Sequence, residues 1–213
     1  MRAAASKLII FAKAPIPGSV KTRLQPTVSQ EDAATLQTYF IQQTLALAST
    51  LKDVDIELWC TPDESHPCFQ HCARKYAITL KQQQGNDLGE RMANALQEAL
   101  AAYQQVIIIG TDCPELTPAY LMEAFLRLKK GTTAVIGPAN DGGYVLLGLR
   151  CYAPSLFANI NWGSDQVLFE TRQKLQQLGW QWDELNTLHD IDTPVDLLDF
   201  PEIIHNAGLT VKH

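Results

Sequence analysis

Short blocks of consecutive apolar residues alternate along this chain with longer stretches in which apolar side chains return every three or four positions. The first pattern predicts strands and the second amphipathic helices. Leu8–Ala12, Ile56–Cys60, Ile78–Leu80 and Val106–Ile109 read as strands, with Ala134–Gly137 and Tyr144–Leu149 as two later ones. Val106–Ile109 is a run of four β-branched residues, which suits a strand buried on both faces. Ser29 opens a helix whose apolar face carries Leu36, Phe40, Leu47 and Leu51, and Asp32 stands at capping distance from it. Asp87-Leu88-Gly89-Glu90 has capping-box spacing, and Leu88, Met92, Leu96 and Tyr103 give helical periodicity after it. Thr117-Pro118 and Thr193-Pro194 each start another helix, since Thr suits the cap and Pro the first helical position. A further helix runs from about Ser164 to Leu178 and is closed by Gly179.

Strand and helix alternate with short connections and no internal repeat or linker. That order predicts an α/β fold, a mixed, mostly parallel sheet with helices on both faces, built as a single domain over residues 1–213. An Asn140-Asp141-Gly142-Gly143 turn joins the last two predicted strands.

Composition changes this picture little. Hydrophobic content of 46% and charged content of 19% are ordinary for a globular chain of 213 residues. The longest apolar runs are far too short to span a bilayer, and Lys7 interrupts any signal-like region, so a cytoplasmic protein is expected. Five cysteines without an export signal argue against a disulfide framework. Cys68 and Cys72 fall on one face of a helix running into Ala73 and Tyr76, as small buried apolar side chains would. The pairing of ligands seen in structural zinc sites is absent around His66 and His71.

Charge is more informative. A net charge of −6 excludes nucleic acid as the main partner. Residues 1–30 nevertheless hold Arg2, Lys7, Lys13, Lys21 and Arg23, while all 23 acidic side chains lie beyond them. A local basic excess of this kind can hold an anionic ligand, or can be a solvated edge.

Three segments carry candidate chemistry. In the first, Gly110 ends the Val106–Ile109 strand and Asp112 follows two residues later. Ligands of open α/β sheets collect outside the carboxyl ends of the strands, and a hard oxygen ligand there suits Mg²⁺ or Mn²⁺ shared with a diphosphate. In the second, the loop Ala12-Lys13-Ala14-Pro15-Ile16-Pro17-Gly18-Ser19-Val20-Lys21-Thr22-Arg23-Leu24 follows the first strand. Its prolines stiffen the path, and Lys21 and Arg23 offer a point charge and a bidentate fork suited to a di- or triphosphate. It matches neither a Walker loop nor a dinucleotide fingerprint. In the third, His189-Asp190-Ile191-Asp192-Thr193-Pro194-Val195-Asp196, helix capping suffices for Asp196. Asp190 and Asp192 precede the helix on one side of an extended segment, and Asp192, or else Asp190, would complete a metal site with Asp112. Asp141 is explained by its turn, yet the tandem glycines beside it also let backbone approach a ligand, so it is a secondary candidate for a base or acceptor site.

Taken together, Phe11-Ala12-Lys13-Ala14-Pro15, Pro17-Gly18, Lys21-Thr22-Arg23-Leu24, Gly85 to Met92, Gly110-Thr111-Asp112-Cys113-Pro114, Gly137-Pro138-Ala139, Asp141-Gly142-Gly143-Tyr144 and Asp190 to Pro194 resemble one bacterial group. It is the arsenosugar-biosynthesis-type glycosyltransferase family of the nucleotide-diphospho-sugar transferase superfamily, and the resemblance runs from about Leu8 to Leu198. The resemblance implies a GT-A (Rossmann-like) fold that binds a nucleotide or nucleotide sugar and a small-molecule acceptor, with Mg²⁺ or Mn²⁺. It implies nucleotide binding by Ala12, Lys13, Pro15, Gly18, Lys21 and Arg23 and by Gly85, Asp87, Leu88, Gly89 and Arg91. Lys21, Arg23 and Asp112 would be catalytic; Asp112 with Asp192 or Asp190 would hold metal; and Asp141, Gly142, Gly143 and Tyr144 would face the acceptor, with Trp162 and Asp165 as further candidates.

Two departures bear on the reaction. Many GT-A glycosyltransferases carry Asp-x-Asp at the central strand end, whereas Cys113-Pro114 follows Asp112 here, so the second carboxylate must come from elsewhere. Lys21-Thr22-Arg23-Leu24 is similar to the first loop of phospholactate guanylyltransferases. The expected function is therefore metal-dependent glycosyl transfer from a nucleotide-diphospho-sugar. The alternative is guanylyl- or cytidylyl-like nucleotidyl transfer with release of pyrophosphate, and a third reading is nucleotide binding without turnover.

Overall fold

The structure, a computed structural model, describes residues 5–25 and 27–210. Seven strands form one sheet: β1 (Ser6–Lys13), β2 (Val54–Thr61), β3 (Thr79–Gln82), β4 (Gln105–Ile109), β5 (Ala134–Pro138), β6 (Tyr144–Leu149) and β7 (Trp182–Glu184). Their order is β3-β2-β1-β4-β6-β5-β7. β1 pairs in parallel with β2 and β4, β2 with β3, and β5 with β7. Only β6 runs against its neighbours, inserted between β4 and β5 by the hairpin that closes at Asn140–Gly143. The sheet is thus mixed and mostly parallel, as expected.

The helices are α1 (Gln30–Ala48), α2 (Pro67–Tyr76), α3 (Leu88–Leu100), α4 (Pro118–Lys129), α5 (Val167–Gln177), α6 (Pro194–Leu198) and α7 (Pro201–Asn206). Alternate residues of the central strands divide between two cores. Leu8, Ile10, Ile107 and Ile109 pack with Ile41 and Leu45 of α1, Phe69 of α2 and Phe125 of α4. Ile9, Val106 and Ile108 pack on the other face with Met92 and Leu96 of α3 and Leu175 of α5. Every side chain of β4 is buried, which is why its sequence runs apolar without alternation.

α1 departs from the expected face. Leu36 and Phe40 turn toward a third cluster with Leu24, Ile191 and Leu197, while Ile41 and Leu45 meet the sheet. The helix is buried on two sides, so Leu36, Phe40, Leu47 and Leu51 do not form one stripe. This third cluster anchors the first loop and the C-terminal segment above the sheet.

Four elements lay outside the sequence pattern, one of them a 3-10 turn at Pro154–Leu156. β7 is a three-residue edge strand, Trp-Asp-Glu, with every residue half-buried and no period to read. α7 is six residues long, and a 3-10 turn at Thr22–Leu24 tightens the first loop. α5 begins at Val167, because Ser164–Gln166 instead forms a turn. The predicted caps form: Ser29, Asp87, Thr117 and Thr193 each accept from the backbone N–H three residues on.

Candidate active site

β1 and β4 lie side by side and in register, Ile10 against Ile109, so the first loop and the Asp112 turn leave the same edge of the sheet. The Asp112 carbonyl accepts from Ile191 N at 2.9 Å, which draws the C-terminal segment over that edge. Ile191 is fully buried in the third cluster. Its neighbours Asp190 and Asp192 therefore project the other way, into a cleft.

At the centre lies Lys21, whose side chain is only 2% exposed. Its Nζ is 3.0 Å from Asp112 Oδ2 and 3.6 Å from Asp192 Oδ1, and it donates to the Ile191 carbonyl. It also sits 5.4 Å from the centre of the Phe40 ring. Lys21 reaches this position from a left-handed backbone, φ 49°, immediately before the 3-10 turn. Arg23 Nη1 donates to Asp192 Oδ2 at 2.9 Å. The two carboxylates are 41% and 37% exposed, facing a buried cation from the solvent side. Gln37 Nε2 donates to Thr111 Oγ1 at 3.3 Å, and Thr111 Oγ1 lies 3.2 Å from Asp112 Oδ1, so a polar chain from α1 orients the aspartate.

The cleft has two joined halves. One, of about 350 Å³, is walled by Ala12, Lys13, Lys21, Arg23, Arg91 and Asp112, with Gln83 at its side. The other, of about 470 Å³, lies over the carboxyl end of β4 and the amino end of the antiparallel β6, and carries Asp141, Gly143, Tyr144, Trp162 and Asp190. Phe11, Arg23, Leu88, Gly110 and Asp192 line both. Gly110 has open space where a side chain would be.

Asp190 and Asp192 part company here. Asp192 reaches Lys21, and through it Asp112, whereas Asp190 lies beside Asp141. Burial first, then the Asp141 and Asp192 charges, pushes the Asp190 carboxyl up to about 6 despite the opposing pull of Lys21. Burial likewise raises the Tyr144 phenol. Asp196 is occupied by helix capping, as expected: its Oδ2 accepts from the N–H of Thr193 at 2.7 Å and of Asp192 at 3.1 Å. Burial would raise that carboxyl, but the hydrogen bonds from Thr193 and Asp192 hold it below the usual carboxylate range.

Several sequence candidates support the cleft without lining it. Asp87 is the α3 cap, accepting from Glu90 N at 2.8 Å. Gly85 offers its carbonyl to Arg91 Nε at 3.0 Å and so aims the guanidinium. Pro15 is buried in the loop and Gly18 is exposed at its turn. Gly89 lies under the Trp162 indole, where a β-carbon would fall 2.1 Å from Nε1. Gly142, with φ +87°, lies as close to Asp165, a β-carbon there reaching 2.1 Å from its carbonyl oxygen. These glycines seat the Trp162–Asp165 wall. The N-terminal basic excess also divides. Arg2 lies outside the described residues, and Lys7 is buried at the opposite end of β1, paired with Glu57 at 2.7 Å. Lys13, Lys21 and Arg23 alone of the described members reach the cleft.

Sequence reasoning missed Gln37 and Gln83. Gln37 is a buried polar residue on α1, but Gln42 and Gln43 stand in the same helix, so no sequence signal singles it out. Gln83 follows β3 and gave none; its Nε2 donates to the Trp59 carbonyl at 2.8 Å.

Among the described residues no three His, Cys, Asp or Glu side chains gather into a metal-binding group. Asp112 and Asp192 nevertheless fit a divalent cation that completes its shell on phosphate oxygens, because both already face one cation and both are open to solvent.

A mixed seven-stranded sheet with this strand order and a cleft at the carboxyl edge of β1 and β4 is the GT-A fold of nucleotide-diphospho-sugar transferases. The chain belongs to the DUF2064 family, uncharacterized proteins conserved in bacteria, whose profile matches residues 44–164. It is similar to a proposed nucleotide-diphospho-sugar transferase from Desulfovibrio desulfuricans G20, with 28% identity over 96% of this chain and 98% of the other and a TM-score of 0.82. The fold is shared with 4-diphosphocytidyl-2C-methyl-D-erythritol synthase from Anaerococcus prevotii DSM 20548, at 13% identity, 94% and 98% coverage and a TM-score of 0.59. It is shared too with Mycobacterium tuberculosis glucosyl-3-phosphoglycerate synthase in complex with Mn²⁺, UDP and glucosyl-3-phosphoglycerate, at 11% identity, 96% and 80% coverage and a TM-score of 0.54. No functionally curated protein matches the sequence. No helix among the described residues is long and apolar enough to cross a membrane.

Proposed function

We propose that this protein transfers a glycosyl group from a nucleotide-diphospho-sugar to a small acceptor. The observation that carries the reading is the position of Lys21, Arg23, Asp112 and Asp192 around the join between the two halves of the cleft. A donor lying across that join has its nucleotide among the first loop, Gln83 and Arg91, and its sugar turned toward Asp141 and Tyr144. The similarity to the Desulfovibrio protein supports the same class.

Asp112 and Asp192 would hold Mg²⁺ or Mn²⁺, which supplies charge neutralisation for the diphosphate when bound. Arg23 can turn from Asp192 to a phosphate, since its side chain is 62% exposed. Lys21, fixed by the Ile191 carbonyl, stabilises the charge that grows on the departing nucleoside diphosphate. An acceptor hydroxyl oxygen bonds to the anomeric carbon as the bond from that carbon to the diphosphate breaks. The hydroxyl proton passes to a carboxylate on the cleft wall, and Asp141 and Asp190 both stand there.

Nucleotidyl transfer is the second reading, supported by the fold shared with the Anaerococcus 4-diphosphocytidyl-2C-methyl-D-erythritol synthase. Nucleoside triphosphates and nucleotide sugars, each with and without Mg²⁺ or Mn²⁺, separate the two in a thermal-shift panel followed by product analysis. A ligand at a hundred times its Kd adds about 2.7 kcal/mol. A metal-dependent shift with a nucleotide sugar and release of nucleoside diphosphate supports glycosyl transfer. A shift confined to one triphosphate, with release of pyrophosphate, replaces it with the second reading. No shift with any nucleotide removes both.

A further inference from the structure

The second half of the cleft is a built cavity with two kinds of surface. Phe11, Met92, Tyr144, Trp162 and Val167 form an apolar, largely aromatic body. Asp141, Asp165, Asp190 and Asp192 form the rim. Arg23 is the one basic side chain on this lining; its Nη1 is 2.9 Å from Asp192, and in the glycosyl-transfer reading it turns to the donor's diphosphate, which leaves it committed either way. The wall is held in place by two backbone close approaches, Gly89 under Trp162 and Gly142 under Asp165, so the aromatic and acidic surfaces are fixed relative to each other.

Ionised carboxylates accept hydrogen bonds and cannot donate them, so their partners are O–H and N–H groups. A phosphate or carboxylate in this half meets like charge on the rim with no uncommitted cation beside it. An aromatic floor adds contact with the apolar face of a ring and attraction for a cation.

We infer that the acceptor is a hydroxyl-bearing ring compound, neutral or cationic, with no phosphate or carboxylate group. This rests on the glycosyl-transfer reading and names the substrate class of that same site. It also runs against the nucleotidyl alternative, whose acceptor brings a phosphate as its nucleophile.

The test uses the whole chain saturated with Mn²⁺ and whichever of UDP, GDP, CDP and ADP binds. Matched pairs are then titrated by calorimetry: glucose and glucose 6-phosphate, glucosamine and glucosamine 6-phosphate, ribose and ribose 5-phosphate. The unphosphorylated member is expected to bind at least tenfold more tightly in each pair that binds. The Asp141→Asn/Asp165→Asn variant is expected to shrink that ratio at least fivefold. A phosphorylated member that binds as well or better overturns the inference, and so does a ratio unmoved by the double variant. Absence of binding by every member at 20 mM, with nucleotide bound, overturns it as well. Failure of all four nucleotides to bind is a different result: it sinks the glycosyl-transfer reading beneath it.

Discussion

Lys21 Nζ lies 3.0 Å from Asp112 Oδ2, so the protein's own ammonium occupies the place that the proposed function gives to a divalent cation and a diphosphate. The same nitrogen is 3.6 Å from Asp192, and the pair of carboxylates shares one buried positive charge. Removing that charge leaves two acids facing each other, and like charges at such range favour any cation that can replace it. Lys21→Met is expected to bind Mn²⁺ at least threefold more tightly in the absence of nucleotide, read by electron paramagnetic resonance. Nucleoside diphosphate affinity should fall at least tenfold in the same variant. Unchanged Mn²⁺ affinity would separate Lys21 from the cation site.

Asp112 and Asp196 give a matched contrast. Asp112 is half-buried between the buried Thr111 and Cys113, but its carboxylate is 41% exposed, and Asp192 remains to face Lys21 when it is removed. Asp112→Ala is expected to abolish the metal-dependent part of nucleotide binding while moving Tm by less than about 3 °C. Asp196 belongs to the Thr193 capping box. Asp196→Ala should cost on the order of 1 kcal/mol and keep the metal dependence. The opposite pattern, stability lost at 112 and metal dependence lost at 196, would reverse the two assignments.

Why the Thr193–Asp196 cap could be read from sequence, while Gly89 could not be understood, is a matter of range. A cap, a strand end and an alternating Asp-Ile-Asp segment are local, and spacing alone sets them. Six of the seven strands were legible for that reason. The seventh, Trp182–Glu184, exists through pairing with Ile136 and its neighbours, a relation that no local period records. Gly89 looked like part of a nucleotide loop, yet its small size serves Trp162, 73 positions away, a contact fixed only by the meeting of α3 and the 160–166 turn. Lys7 misled in the same manner: counted with a basic cluster, it is drawn by the sheet register to Glu57 and away from the cleft.

The Lys7–Glu57 pair has its own consequence. Burial alone would raise the Glu57 carboxyl, but hydrogen bonds from Lys7 and Trp59, with the charges of Lys7 and Lys81, hold it below the usual range. A lowered folded value means that the stabilisation is present at neutral pH and is lost as pH falls through that value. Lys7→Met leaves a buried carboxylate with only Lys81 at 3.4 Å to balance it. The expected loss is about 3 kcal/mol at pH 7, the lower end for a broken buried pair, and less at pH 4. An equal loss at both pH values, measured by denaturant unfolding, would assign the effect to packing.

Asp190 carries the reverse sign. Its carboxyl stands at about 6, chiefly through burial and then through Asp141, against about 3.9 in an unfolded chain. Below pH 4 both states are protonated and the group is neutral to stability. As pH rises from about 4 to about 6 the unfolded chain ionises while the folded carboxyl stays protonated, so stability falls over that window and levels off above it. Asp190→Asn mimics the protonated form, so in metal-free buffer it is expected to be more stable than the parent at pH 8 by on the order of 2 kcal/mol. At pH 4 the two should coincide. A constant difference across that range would mean that Asp190 titrates normally.

The wall of the second half can be moved without touching any of its charges. Gly89 is buried in the first turn of α3, and a β-carbon there would fall 2.1 Å from Trp162 Nε1 and 2.5 Å from Cε2. The helix itself would gain up to about 1 kcal/mol from Ala in place of Gly. The indole, however, must leave its seat, and overpacking of this kind typically costs about 1–3 kcal/mol. Gly89→Ala is therefore expected to change Tm modestly, to alter the Trp fluorescence maximum, and to weaken acceptor binding at least tenfold. Nucleoside diphosphate affinity should stay within threefold, because Lys21, Gln83, Arg91 and Asp112 line the other half of the cleft, which Trp162 does not. Equal losses for nucleotide and acceptor would mean that the two halves are not separable, and that Trp162 supports the whole cleft instead of one side of it.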